Sequence, residues 1–424
     1  MPFLRSDAFA AFRSRDFSLL SINQFCLVLA IVMQEIAISY ALYQITQDPL
    51  SLGLIAVVEL IPFIGFSFIG GHWADRYNRQ KILQSSFCWS CTIPLLFSVL
   101  FNGYEKQQIT QDFLLWSIYL LIFCLGVIRG IYSPAFNSLR PFLISTDAQA
   151  NAATWTSSIW QFGAIIAPLC AGLLLSQFGL KLTLMVVFVF CCLGSVSLLQ
   201  LSKRTFPTTF ETKIHRSLKE AFHFMLQQRV LFWSILLDLI TALFCSIVVL
   251  LPIITQDILQ LGAEGLSLLR AAPALGICIM MFVLLHFSPT QNALRNMLLI
   301  CTGIAMLTLL FALSKLLWLS FILLVLIGAL DSIGMVIRQH LLQLLPPKQL
   351  FGRVAALNGI LVTSGNQLGA LQSSLTTRYL SVTPTLFIGG SICLSFCLIS
   401  FFFTRHLLKT PLSHEKHTIL TTEK

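Results

Sequence analysis

Runs of about twenty consecutive apolar residues recur from one end of this chain to the other, each long enough to cross a ~30 Å hydrocarbon core as a helix. Membrane strands would instead show short segments of alternating hydrophobicity, so a barrel is set aside. Composition agrees. Only 10% of the residues are charged and 56% are hydrophobic, whereas a soluble fold carries roughly a quarter charged residues. The runs predict an all-α integral membrane protein of about twelve transmembrane helices, near 19–43, 52–71, 83–101, 113–133, 154–175, 182–201, 231–253, 266–287, 297–313, 318–337, 354–375 and 386–403.

The basic residues orient these helices. With both termini cytoplasmic, Lys106, Lys181, Lys315 and Arg378 lie outside and Arg129 and Arg270 fall within helices. The rest of the 27 Lys and Arg lie inside. That bias is the positive-inside rule, and it accounts for the net charge of +10 without nucleic acid. The polar start at 5–16 runs into a segment too long for a signal-peptide core, so the first helix is expected to stay as an anchor. The twelve cysteines fall in or beside predicted helices and read as packing residues. Neither Cys88 and Cys91 nor Cys191 and Cys192 has the flanking ligands of a zinc site.

The longest polar stretch, 201–229, divides the helices into six and six. The expected plan is a bundle at 1–200, a cytoplasmic central loop at 201–230, a second bundle at 231–404 and a cytoplasmic tail at 405–424. Within the loop, 217–228 has the pattern of an amphipathic helix on the membrane surface. A faint internal repeat fits two bundles: Asn151-Ala152-Ala153-Thr154-Trp155 opens helix five and Val354-Ala355-Ala356-Leu357-Asn358 opens helix eleven.

Between helices two and three stands Gly71-His72-Trp73-Ala74-Asp75-Arg76-Tyr77-Asn78-Arg79-Gln80-Lys81. It resembles the G-x-x-x-D-R-x-x-R-[RK] loop of the major facilitator superfamily. That resemblance implies two six-helix bundles, transport by alternating access, and a cytoplasmic gate built from Gly71, Asp75, Arg76, Arg79 and Lys81. A carboxylate at Asp75 would accept amide hydrogen bonds at a helix terminus, and Arg76 and Arg79 would bind acids or helix C-terminal carbonyls. Asn78 stands where the family often has Gly, and Asn tolerates a left-handed turn.

Helix five carries Gly163-Ala164-Ile165-Ile166-Ala167-Pro168-Leu169-Cys170-Ala171-Gly172. It is similar to the Gly- and Pro-rich stretch of exporters in the superfamily, with Gly163, Pro168 and Gly172 as its marks. Plain helix packing is the competing reading, since small residues let helices approach closely. A narrower resemblance, to the group that includes enterobactin exporters, rests on Arg13-Ser14-Arg15-Asp16-Phe17, Ser133-Pro134-Ala135-Phe136, Gly328-Ala329-Leu330-Asp331 and Gly352-Arg353-Val354 among others. It adds Arg353 to the gate and implies a multi-pass protein of the bacterial inner (plasma) membrane. After Asn366-Gln367-Leu368-Gly369 many relatives carry acids, but this chain has Ala370-Leu371-Gln372.

Glu35, Glu59, Asp238 and Asp331 fall inside predicted helices, where a central charge costs at least ~2.5 kcal/mol. A carboxyl withdrawn from water favours its protonated form, which suits proton coupling or substrate binding. Glu35 and Asp331 lead, and Arg129 joins them because arginine in helix four recurs in proton-coupled exporters of the superfamily. A fixed ion pair, such as Asp331 with Arg129, would serve structure instead, and both readings stay open. Arg270, near the outer end of helix eight, is expected to snorkel. Arg338 is expected to lie just past helix ten at the cytoplasmic surface.

No G-x-x-x-x-G-K-[ST] phosphate loop is present, and no H-E-x-x-H or G-x-S-x-G stands with supporting partners. The chain is expected to need no cofactor, no metal and no obligate protein partner. Its expected partners are the bilayer, a small molecule and protons, with sodium left open. The leading function is proton-coupled export of a small organic molecule, such as a siderophore. Broad-specificity drug efflux is the alternative; an importer, a membrane enzyme and a non-transporting scaffold follow.

Overall fold

The computed structural model describes residues 9–202, 214–284, 286–287, 289, 292–347 and 350–406. Part of the expected central loop, 203–213, and most of the tail, 407–424, lie outside the described residues, as does the side chain of Asp75. Helix is the only regular secondary structure among the described residues. The long helices are α1 (Arg15–Thr46), α2 (Pro49–Arg76), α3 (Arg79–Glu105), α4 (Gln111–Leu139), α5 (Gln149–Leu199), α6 (Ile214–Gln227), α7 (Arg229–Phe244), α8 (Gly262–Leu284), α9 (Ala293–Leu313), α10 (Leu317–Leu344), α11 (Phe351–Leu380) and α12 (Val382–Thr404).

α5 spans 51 residues and is two crossings in one. Gly179 breaks it at φ 75° and ψ 179°, a conformation that only a residue without Cβ adopts at little cost. The arms 149–178 and 180–199 are helices five and six of the sequence reading. Among the described residues ten helical stretches are both long and apolar enough to span, with 151–199 as one of them. Dividing that stretch at Gly179 makes eleven. α11 makes the twelfth: its 30 residues are long enough, and its Asn, Gln, Ser and Thr side chains are what keep its hydropathy low. α7 continues through a 3-10 turn (Val248–Leu250), an α turn (Leu251–Ile253) and a π-helical turn (Ile254–Ile258). α6 is short and amphipathic: Ala221 and Met225 are buried, while Phe222 and Leu226 are exposed.

Contacts divide the chain into two compact units. Unit one holds Met1–Thr46, Val57–Phe210 and Gly262–Ala271; unit two holds Gln47–Ala56, Glu211–Leu261 and Ala272–Lys424. In unit one α1 packs most extensively on α5, and Leu20, Leu83, Phe87, Ala135, Leu139 and Leu198 form a core. A buried polar node crosses this unit. Asn23 Nδ2 donates to the Gly194 carbonyl at 3.1 Å, and Tyr132 donates its hydroxyl to Asn23 Oδ1 at 2.8 Å. Both ends of the Asn23 amide are thus used, as burial demands. Unit two has its own core of Leu231, Leu237, Met297, Cys301, Ile337 and Leu341. Near the start of α2, Gly53 lies so close to α11 that a Cβ would stand 2.7 Å from Ser374 Cβ, and Asp48 pairs with Arg378 at 3.6 Å.

Candidate functional site

Three of the four intramembrane acids contact arginines, and the one pair offered by the sequence, Asp331 with Arg129, is not among them. Arg129 on α4 reaches Glu59 on α2, with Nη1 to Oε1 at 2.7 Å. The pairing of Arg129 with Asp331 is therefore corrected. Helix proximity decides it: Gly126, one turn before Arg129, brings α4 so close to α2 that a Cβ there would lie 2.4 Å from the Glu59 carbonyl oxygen. Arg129 also stacks over Phe63, 5.3 Å from the ring centre, a cation–π contact that helps hold a partly desolvated guanidinium.

Arg270 does not simply snorkel. Its Nη2 donates to Glu35 Oε1, joining α8 to α1 within unit one. Glu35 is the more open partner, with 48% of its side chain exposed. Arg338 is not at a surface either. It lies inside α10, only 7% exposed, and pairs with Asp238 on α7. The reason is length: α10 runs on to Leu344, about two turns beyond the expected end, so Arg338 stays in the bundle.

Asp331 stands two turns before Arg338, at the middle of α10. Its electrostatic neighbours are Asp238 and Arg338. Only Asp238 contacts the guanidinium; Asp331 is within electrostatic reach of both. The cluster holds one more carboxyl than it has guanidinium groups.

The helix-five residues meet different neighbours. A Cβ on Gly163 would stand 2.5 Å from Val28 Cγ1 on α1, and one on Gly172 would stand 1.9 Å from Ser267 Oγ and 2.4 Å from its Cβ on α8. Pro168 lies between them inside α5. Both glycines are positions of close helix approach.

The expected 71–81 loop shortens to Tyr77 and Asn78, because α2 runs on through Arg76 and α3 starts at Arg79; Gly71 has open space around it, and Arg76 and Lys81 are exposed. Arg79 is 6% exposed and holds two helix C-termini: Nε donates to the Ala74 carbonyl at 2.9 Å and Nη1 to the Ser138 carbonyl at 3.4 Å. A cation there complements the negative end of each helix dipole. Asn78 does not take a left-handed turn. At φ −65° and ψ 108° it caps α3, its side-chain oxygen accepting from the N–H groups of Gln80 and Lys81. In unit two, Arg353 at the start of α11 lies 3.6 Å from Glu220 on α6. On α11 the buried oxygens Asn358 Oδ1, Ser374 Oγ and Thr377 Oγ1 have no protein partner.

One signal for these charges was present in the sequence. Leu114-Leu115-Trp116 precedes Gly126 and Arg129 at the same spacing as Leu316-Leu317-Trp318 precedes Gly328 and Asp331. Both glycines are crossing points, since a Cβ on Gly328 would lie 2.1 Å from the Pro273 carbonyl oxygen of α8. Corresponding places in the two repeats thus carry opposite charges.

Residues 20–370 match the Major Facilitator Superfamily. The chain is 24% identical over 348 residues to the enterobactin exporter EntS of Salmonella choleraesuis (strain SC-B67), covering 82% of each protein. It is 20% identical over 376 residues to macrolide efflux protein A of Streptococcus pyogenes, covering 86% of this chain and 90% of that one. Among solved structures, a POT family transporter in complex with 5-aminolevulinic acid superposes with a TM-score of 0.75 at 12% identity, covering 94% of this chain and 97% of that one. That last likeness is one of fold.

Proposed function

This chain belongs to the Major Facilitator Superfamily, and from that premise we propose that it exports a small organic molecule, a siderophore first among the candidates, across the bacterial inner membrane by alternating access coupled to protons. The observation that carries the coupling is Asp331. Glu35, Glu59 and Asp238 each contact an arginine, while the cation nearest in effect to Asp331 is Arg338, which is already in contact with Asp238. A surplus carboxylate inside a spanning helix is costly until a cation neutralises it, and a proton does so reversibly. Asp331 is thus the leading proton site. Glu59 with Arg129, and Asp238 with Arg338, act as fixed pairs that orient their helices. Glu35 with Arg270 is a pair that substrate can open, because Glu35 is half exposed.

Export as the direction is supported by the likeness to two proteins named for efflux. The excess of basic residues in alternate loops supports cytoplasmic termini. On that orientation the 71–81 segment of unit one and Arg353 of unit two are each cytoplasmic gate elements, with Arg79 holding the ends of α2 and α4 together. The second reading, broad-specificity drug efflux, is favoured by the likeness to macrolide efflux protein A. Vesicles carrying the protein, loaded in parallel with enterobactin and with erythromycin, separate the two under an imposed pH gradient. Enterobactin movement alone supports the first reading; erythromycin movement supports the second; movement of neither at any gradient removes both.

A further inference from the structure

In the Arg13–Phe17 motif Asp16 is only 3% exposed. Its role lies where the chain leaves α5. One peptide group there, the carbonyl of Leu201 with the N–H of Ser202, is held from both sides. Gln80 Nε2 donates to the Leu201 carbonyl at 3.1 Å, and the Ser202 N–H donates to Asp16 Oδ1 at 3.1 Å. One turn along α3, Gln84 Nε2 donates to the Leu198 carbonyl at 2.8 Å. α3 thus adds an amide donor to the Leu198 carbonyl, which also accepts the Leu201 N–H at 3.3 Å, and another to the Leu201 carbonyl just past α5.

Both holders are themselves fixed. The Gln80 N–H donates to Asn78 Oδ1 at 3.0 Å, so the N-cap of the loop sets where Gln80 points. At the start of α1, Ser14 Oγ donates to the Leu143 carbonyl at 2.7 Å, and the Ala11 N–H donates to Asn151 Oδ1 at 3.1 Å. A bond to the carbonyl polarises the peptide and strengthens its N–H as a donor. An ionised carboxylate then makes the second bond charge-assisted. The two bonds are expected to reinforce each other.

We propose that Asp16 and Gln80 are positioning residues that clamp the Leu201–Ser202 peptide, making the 71–81 loop, the start of α1 and the departure of the central linker one mechanical unit. The consequence for transport rests on the reading of that loop as a gate; the clamp itself is testable without any substrate.

The test is limited trypsin digestion of the purified full-length protein in nanodiscs, scoring initial cleavage after Lys203 and Arg204 by mass spectrometry. Asp16→Ala and Gln80→Ala should each speed cleavage about tenfold, the worth of one strong hydrogen bond. The double variant should be little faster than either, because the bonds share one peptide. Asp16→Asn keeps an acceptor and should change the rate by no more than about threefold. Asn78→Ala, remote from the linker, should also speed cleavage there, which a purely local role would not produce. Cleavage after Lys106 and Lys181 should stay at the wild-type rate. If an alanine variant fails to fold, Gln80→Met keeps the volume and removes the donor. Wild-type cleavage in both single variants, or additive effects, would overturn the clamp. Faster cleavage with unchanged efflux of whichever of enterobactin and erythromycin the wild type carries would overturn its coupling to transport.

Discussion

Arg129 Nη1 lies 2.7 Å from Glu59 Oε1 because Gly126, one turn earlier on α4, leaves room for the α2 backbone. The ion pair and the missing side chain are one device. A guanidinium in a span needs a counter-charge within reach, and only a close crossing delivers it. Gly126→Ala should therefore act on the pair as well as on packing. Its Cβ meets backbone, which cannot rotate away, so a loss of about 1–3 kcal/mol is expected. Thermal unfolding in detergent reads it. Glu59→Gln in the Gly126→Ala background should add less than it does alone.

The Arg338–Asp238 pair is the more buried, and its two members should behave unequally with their partners removed. Arg338→Met leaves Asp238 without its cation and should cost about 3–5 kcal/mol, whereas Asp238→Ala leaves Asp331 near the guanidinium and should cost less. The double variant Asp238→Ala with Arg338→Met should recover much of that loss, since it removes both charges. Unfolding midpoints of the four proteins in one detergent give the comparison.

Asn78→Ala removes the cap of α3 and should cost about 1 kcal/mol. Asn78→Gly should cost only a few tenths. A left-handed turn at this position would give the opposite result, with Gly the more stable of all three.

The spans could be read from the sequence because hydropathy over a run does not depend on tertiary contacts. α11 shows the limit of that logic: its polar side chains lower the signal, yet its length still spans. The partners of the charges were not legible. Arg270 and Glu35 stand far apart in sequence, and which arginine meets which acid depends on helix rotation and crossing distance. Arg338 was misplaced because α10 runs past its last long apolar run. Asn78 was misread because a turn residue and an N-cap residue have the same side chain, and only φ distinguishes them. The repeat that sets Arg129 against Asp331 was in the sequence, but its meaning depended on seeing both glycines at helix crossings.

The helix-five glycines give a further expectation. Gly172→Ala would drive a Cβ to 2.4 Å from Ser267 Cβ, whereas Ser267→Ala removes only the hydroxyl. Gly172→Ala should slow efflux at least about tenfold if the cycle needs this close approach, as a cost above 1.4 kcal/mol in the closed contact implies. Rates of efflux from vesicles at matched protein content, measured with whichever of enterobactin and erythromycin the wild type carries, provide the check.

Proton coupling through Asp331 is tested most directly by imposing a pH gradient on vesicles that carry the wild type or Asp331→Asn, and following erythromycin and enterobactin. The account predicts that Asp331→Asn loses accumulation driven by the gradient while still exchanging substrate across the membrane at equal pH. Gradient-driven accumulation by Asp331→Asn equal to the wild type would contradict it.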